Sequence, residues 1–132
     1  MILVKTEIKP SELHGIGIFA MCDIVAGTLV WKFNPIMDRL IHPNEIEGLP
    51  EHTIQHIHDH SYIDINGDYV SSLDHNHYSN HSYEPNLDWN DNEHAFCANR
   101  DIAAGEELTK NYSTFYDYDI SNIRNNKGKQ EK

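Results

Sequence analysis

The chain has almost no cysteine, few basic side chains and no long apolar run, and each shortage removes a class of protein. Cys22 and Cys97 are the only two cysteines in 132 residues. Neither a disulfide framework nor a four-cysteine zinc cluster can be built from them, and a reducing compartment fits. Lysine and arginine total 10 against 21 aspartate and glutamate, a formal net charge of −11 with histidine neutral. Such a surface repels phosphate backbones, which argues against direct binding of nucleic acid. No apolar stretch approaches the roughly 20 residues that a membrane-spanning helix needs. Met1 to Lys5 lack the basic flank, apolar stretch and small-residue cleavage site of a secretory signal. The expectation is an intracellular protein, cytoplasmic or nuclear, that is not secreted and has no membrane partner. The length suits one domain with one modest core and excludes two separate catalytic lobes.

What the sequence does contain is a series of short β-like runs broken by Gly, Asn, Asp and Pro. Strands are predicted at Leu3–Ile8, Gly17–Ala20, Thr28–Phe33, Tyr62–Ile65, Asp68–Ser72, Ala95–Ala98 and Glu107–Tyr112. Asn66-Gly67 lies between two of these runs and predicts a hairpin with a type I′ turn, in which both central residues have positive φ. Val25-Ala26-Gly27-Thr28 and Ala103-Ala104-Gly105-Glu106 are two similar tight turns, each after an Asp-Ile pair. Their spacing does not make a repeat protein. One helix is predicted from Pro50 to about His60, with Pro50 and Glu51 suited to its start and Ile54 and Ile57 on one face. Residues 1–120 form the expected domain. Residues 121–132 are polar and without apolar periodicity, and are expected to be a disordered tail.

Histidine is abundant, with ten residues. His52, His56 and His60 recur every four positions on the predicted helix, so an adjacent pair could share a metal ion. With no cysteine or fixed carboxylate beside them, a solvated stripe is the plainer reading, and no metal is expected. His75-Asn76-His77 spells a nuclease-like tripeptide, against which the net negative charge weighs. Gly15-Ile16-Gly17 lacks the third glycine and the following helix of a dinucleotide-binding turn. Taken alone, it means a tight turn that lets backbone approach something closely.

Three segments are more specific: Gly15-Ile16-Gly17-Ile18-Phe19-Ala20, then Asn80-His81-Ser82-Tyr83-Glu84-Pro85-Asn86, then Gly105-Glu106-Glu107-Leu108-Thr109-Lys110-Asn111-Tyr112. In this order and spacing the chain resembles the SET-domain protein lysine methyltransferases, of the small type without flanking zinc modules, over about Lys5 to Tyr112. The resemblance implies a mainly β fold, the β-clip, made of small sheets with a pseudoknot and one or two short helices. The pseudoknot would be formed by the second and third segments. It implies S-adenosylmethionine as cofactor, held by Ile16, Gly17, Asn80 and His81, and Tyr112 as the catalytic tyrosine. A glycine turn can present backbone C=O and N–H to an ammonium and a carboxylate without side-chain obstruction, which agrees with that carry-over. Phe115, Tyr116 and Tyr118 are candidates to close the groove over adenine or an alkyl-ammonium, their alternative being a packing cluster. The partner implied is a lysine-bearing protein or peptide, and an acidic face suits a histone-like tail. An inactive SET-like module that binds cofactor or peptide is the alternative function.

The chain departs from the family at Tyr83, where cysteine is common, and across Asp74 to Ser79. It departs again at Lys110, two residues before Tyr112, where an aromatic or aliphatic residue is common. A regular strand over Glu107–Tyr112 would point Leu108, Lys110 and Tyr112 to one side. Lys110 could then bend out to solvent, repel a substrate ammonium and so slow catalysis, or become methylated itself.

Overall fold

The computed structural model describes residues 1–112. Phe115, Tyr116, Tyr118 and the expected tail lie outside the described residues. In chain order come β1 (Thr6–Pro10), β2 (Ile16–Ala20), β3 (Leu29–Lys32), β4 (Asp38–Ile41), α1 (Glu51–His60), β5 (Ser61–Ile63), β6 (Tyr69–Ser72), β7 (Asn80–His81), β8 (Leu87–Asn90), β9 (Ala95–Ala98) and β10 (Thr109–Lys110). A 3-10 turn at His75–Tyr78 precedes β7.

These strands make four small sheets. β1 and β2 form an antiparallel pair, β9 runs between β3 and β8, β6 runs between β4 and β5, and β7 pairs in parallel with β10. A two-stranded sheet is marginal at best by itself in water, and these small sheets bury their apolar faces against one another in one shared core. The shared core includes Ile18, Val30, Trp31, Leu40, Val70, Leu87, Phe96, Ile102 and Leu108. Fully burying a side chain of this size is worth about 1.5–3 kcal/mol, and β9, covered on both faces, is buried at all four residues. Trp31 and Trp89 pack on Phe96 with ring centroids 6.1 and 5.2 Å away.

The two similar turns face each other. Ile24 and Ile102 exchange backbone hydrogen bonds of 2.8 Å in both directions. Asp101 accepts from the Ala26 N–H at 2.8 Å and Asp23 accepts from the Ala104 N–H at 2.9 Å, so each aspartate satisfies the other turn. The Asn66-Gly67 hairpin exists but is not type I′. Gly67 alone has positive φ, at 81°, and Gly67 N–H donates to the Asp64 carbonyl while Asp64 N–H donates to that of Asp68. This is a three-residue loop, a type I turn followed by a left-handed glycine. The Asp64 carboxylate holds it by accepting from the Asn66 and Asp68 N–H groups.

Three strands went unpredicted, β4, β7 and β8. β4 buries Asp38 at an inward position, where its carboxylate takes hydrogen bonds from Ser72 Oγ, the Asn34 N–H and the Met1 ammonium. An aspartate there breaks the apolar alternation by which strands are read. At the C-terminal side the expected strand Glu107–Tyr112 shrinks to the two residues of β10. Leu108, Thr109 and Lys110 are all buried, so the two-sided pattern expected of a half-exposed strand does not hold. The segment is enclosed by protein on both faces.

α1 lies on the surface with none of its residues fully buried. Its histidines divide between two faces, His56 and His60 on the one the four-residue spacing predicts and His58 on another. His56 stacks on His60 at 4.2 Å, His60 meets His77 edge-on at 5.0 Å, and His58 meets Tyr69 at 5.1 Å. Among the described residues no group of three or more His, Cys, Asp or Glu could hold a metal ion. No helix of the described residues is long and apolar enough to cross a membrane.

Candidate active site

Two distant segments meet at the parallel pair β7–β10, with Thr109 opposite Asn80 and Lys110 opposite His81. A pairing two residues long cannot hold itself, and side chains extend it. The Asn86 amide donates to the Glu107 carbonyl at 2.8 Å and accepts from the Thr109 N–H at 2.8 Å, imitating another strand. Ser82 N–H donates to the Lys110 carbonyl at 2.9 Å. The crossing implied by the resemblance is built from these bonds.

The turn before β2 is drawn onto this crossing. Gly15 has φ +47°. Asn80 Nδ2 lies 3.0 Å from the His14 carbonyl, 3.2 Å from that of Ile16 and 2.7 Å from Glu107 Oε2. The other Glu107 oxygen accepts from Ser11 Oγ at 2.7 Å. A Cβ at Gly17 would stand 2.2 Å from Glu107 Oε2 and 3.1 Å from Asn80 Nδ2, so any side chain there would displace the Glu107 carboxylate from its place against the turn. Ile16 is exposed at the rim of the turn. Asn80 therefore braces the turn with its side chain.

His81 and Tyr112 complete the cluster. His81 Nδ1 accepts from the Tyr112 N–H at 3.0 Å, which fixes the neutral ring with its proton on Nε2. That Nε2 is buried and has no partner among the described residues. A buried donor left without an acceptor is costly, and an acceptor brought by a ligand would satisfy it. The carboxylate of Glu107, the backbone of the glycine turn and this spare N–H make a donor and acceptor set that fits the ammonium and carboxylate of a methionine-like tail. The Tyr112 hydroxyl donates to the Ser79 carbonyl. Burial pushes the Tyr112 phenol above its ordinary range, and the Glu107 carboxylate adds to that. Tyr112 is thus a neutral hydroxyl at physiological pH.

Beneath Ser79 lies a network that sequence reasoning missed. Tyr62 hydroxyl donates to the Asn76 carbonyl at 2.8 Å and lies 2.9 Å from Ser79 Oγ, which also donates to the Asn76 carbonyl at 2.9 Å. Lys110 Nζ donates to Asn76 Oδ1 at 2.8 Å and lies 3.5 Å from the Tyr62 hydroxyl. The ammonium faces the rings of Phe96, Tyr62 and Trp31 at 4.2, 4.8 and 5.9 Å. Lys110 is 1% exposed. Of the three courses open to it, bending out to solvent is excluded. Its stem passes into the core and its head meets Asn76, Tyr62 and the rings. Burial pushes its amine down to about 7, although Asp74 and Asp38 favour the charged form.

Of the residues expected at the site, Asn80, His81, Tyr112, Ile16 and Gly17 converge at the crossing and the turn packed on it. Phe115 and Tyr116 lie outside the described residues. Glu107, Ser79, Asn76 and Tyr62 were not singled out for this cluster. Glu107 sits inside the third motif, and Asn76 inside the nuclease-like tripeptide, but neither has a local signal for its actual contacts.

The SET domain family model matches residues 15–113. A solved structure of a humanized mutant of the Chaetomium thermophilum Polycomb Repressive Complex 2, bound to an inhibitor, is similar at 25% identity and TM-score 0.62 over 86% of the chain. The chain spans 15% of the length of that protein. A Plasmodium falciparum protein provisionally named a histone methyltransferase is similar in fold, at 20% identity and TM-score 0.54, over 84% of this chain and 95% of its own. No curated protein matches the chain in sequence.

Proposed function

The chain belongs to the SET-domain family, and from that premise we propose that it transfers a methyl group from S-adenosylmethionine to the side-chain amine of a protein lysine. The observation that carries this reading is the meeting of the Tyr112 hydroxyl and the Ser79 carbonyl beside His81 and the Gly15–Gly17 turn. S-adenosylmethionine, when bound, supplies an electrophilic methyl on a sulfonium. Ile16 and Gly17 offer backbone to its amino-acid end, Asn80 holds their turn in place, and His81 Nε2–H donates to it. Phe115 and Tyr116 are proposed to cover its adenine.

The protein's share of the reaction is alignment in a water-poor channel. The Ser79 carbonyl and the Tyr112 oxygen accept from the substrate nitrogen and turn its lone pair toward the methyl. Desolvation and a neighbouring positive charge lower the substrate amine from its free value of about 10.4, so that it enters as the neutral base. With the cofactor bound, the amine would take the methyl as the sulfur–carbon bond broke, and the proton lost from the amine would pass to water. Tyr112 stays protonated throughout, which its raised phenol pKa supports. The net charge of −11 favours approach of a lysine-rich, histone-like segment.

The test is calorimetric titration with S-adenosylmethionine, followed by transfer of labelled methyl to a mixed histone substrate. Asn80→Ala is expected to abolish cofactor binding. Tyr112→Phe is expected to keep binding within a fewfold and to lose turnover by at least a hundredfold, since it removes only a hydroxyl at the reacting nitrogen. Binding without turnover in the unaltered chain would favour the inactive binding module. Loss of binding in both variants would overturn the assigned roles.

A further inference from the structure

A buried lysine is expensive to keep, and the environment of Lys110 is built around its amine. Asn76 turns its side-chain oxygen to Nζ, and three rings present their faces to it. The same Asn76 accepts, through its backbone carbonyl, from the Tyr62 hydroxyl and Ser79 Oγ, and the Ser79 carbonyl receives the Tyr112 hydroxyl. The amine therefore connects to the Tyr112–Ser79 pair through one residue on each side, by bonds of 2.8–2.9 Å along the Asn76 route.

We propose that Lys110 is a proton-controlled positioning residue for Tyr112, which holds methyl transfer back while it is an ammonium and releases it when the proton leaves. This rests on the methyl-transfer reading above. As an ammonium, Lys110 can only donate, to Asn76 Oδ1 and the Tyr62 oxygen, and it holds a cation in the network under Ser79, beside which positive charge develops on the neutral substrate nitrogen as it takes the methyl. As a neutral amine it removes the repulsion and can accept a hydrogen bond from the Tyr62 hydroxyl, which frees one bond on the Asn76 carbonyl and redirects the Ser79 hydroxyl.

The groups that act on the amine come from every neighbouring element. Asp38 from β4 and Asp74 before the 3-10 turn favour the charge. The Met1 ammonium feels it as a like charge. Tyr62 from β5 is held neutral by burial. Trp31 of β3 and Phe96 of β9 carry no charge, and His81 of β7 has its Nδ1 committed to the Tyr112 N–H. The position of the switch near neutral pH follows from desolvation outweighing the two aspartates.

The experiment compares kcat of Lys110→Met with that of the unaltered chain on one lysine peptide from pH 6 to 9, taken as a ratio so that the titration of the substrate cancels. With one amine in ten neutral a pH unit below its midpoint, the ratio is expected to be about 10 at pH 6 and about 1 at pH 9. A ratio constant with pH overturns the proposal, including a constant ratio below 1. In parallel, the unaltered chain carrying 13C-labelled lysine and tyrosine is titrated by NMR without cofactor. Lys110 Cε and Tyr112 Cζ are expected to shift with a common midpoint near 7. A Lys110 signal that does not move between pH 6 and 9, or a Tyr112 signal that does not follow it, overturns the proposal even if Lys110→Met fails to fold. Absence of methyl transfer at every pH would instead sink the methyl-transfer reading and leave the NMR titration to decide on Lys110.

Discussion

Replacing Lys110 with methionine should also change how stability depends on pH, and the sign can be worked out in advance. The amine titrates at about 7 in the folded chain against 10.5 for an unburied lysine. Each pKa unit corresponds to about 1.36 kcal/mol, so the folded state forgoes about 4–5 kcal/mol whenever both states must carry the proton. Below pH 7 both states are protonated and this penalty is present in full. Between 7 and 10.5 the unfolded chain binds a proton that the folded chain does not, and stability rises with pH until the penalty is gone. Methionine has no such proton. Its own balance includes the loss of the bond to Asn76 Oδ1, worth about 1–3 kcal/mol with the amide left buried, and of the ring contacts. Those losses do not vary with pH. The expected result from urea unfolding is therefore a stability difference, variant minus parent, that is most favourable to methionine at pH 6 and falls by about 4 kcal/mol by pH 10. All other titrations are common to both chains and cancel. A difference that stays within about 1 kcal/mol across that range would refute the reasoning, because it would mean that Lys110 is neither buried nor perturbed as described.

Two further outcomes follow from the same geometry. Gly17→Ala should leave the fold intact but push the Glu107 carboxylate out of its bonds to Asn80 and Ser11, lowering affinity for S-adenosylmethionine at least tenfold by calorimetry. Asn86→Ala removes the bonds to the Glu107 carbonyl and the Thr109 N–H that hold β10 against β7, and should destabilise the chain by about 2–4 kcal/mol in urea unfolding, leaving buried backbone groups without partners.

Sequence by itself determined the elements whose signal is local. The strands Ile16–Ala20 and Ala95–Ala98 and the helix Glu51–His60 are written in runs of apolar and β-branched residues, or in Pro-Glu at a helix start, and neighbours in the chain suffice to read them. The three family motifs determined which residues belong together at the site, although no contact among them could be derived from spacing. Tertiary structure decided everything that depends on a partner far along the chain. Asp38 can sit inside strand β4 because Ser72 and the Met1 amine reach it. The turns at Gly27 and Gly105 satisfy each other across 75 or more residues of sequence. Asn66-Gly67 took a three-residue loop because the Asp64 carboxylate could hold the turn. Lys110 turned inward, against the ordinary preference of lysine for water, because Asn76 and the rings of Tyr62, Phe96 and Trp31 come from four other segments to receive it. A one-dimensional pattern records which residue is present. Whether a buried charge or amide finds its complement is a property of the assembled fold, and at this site the fold supplies it.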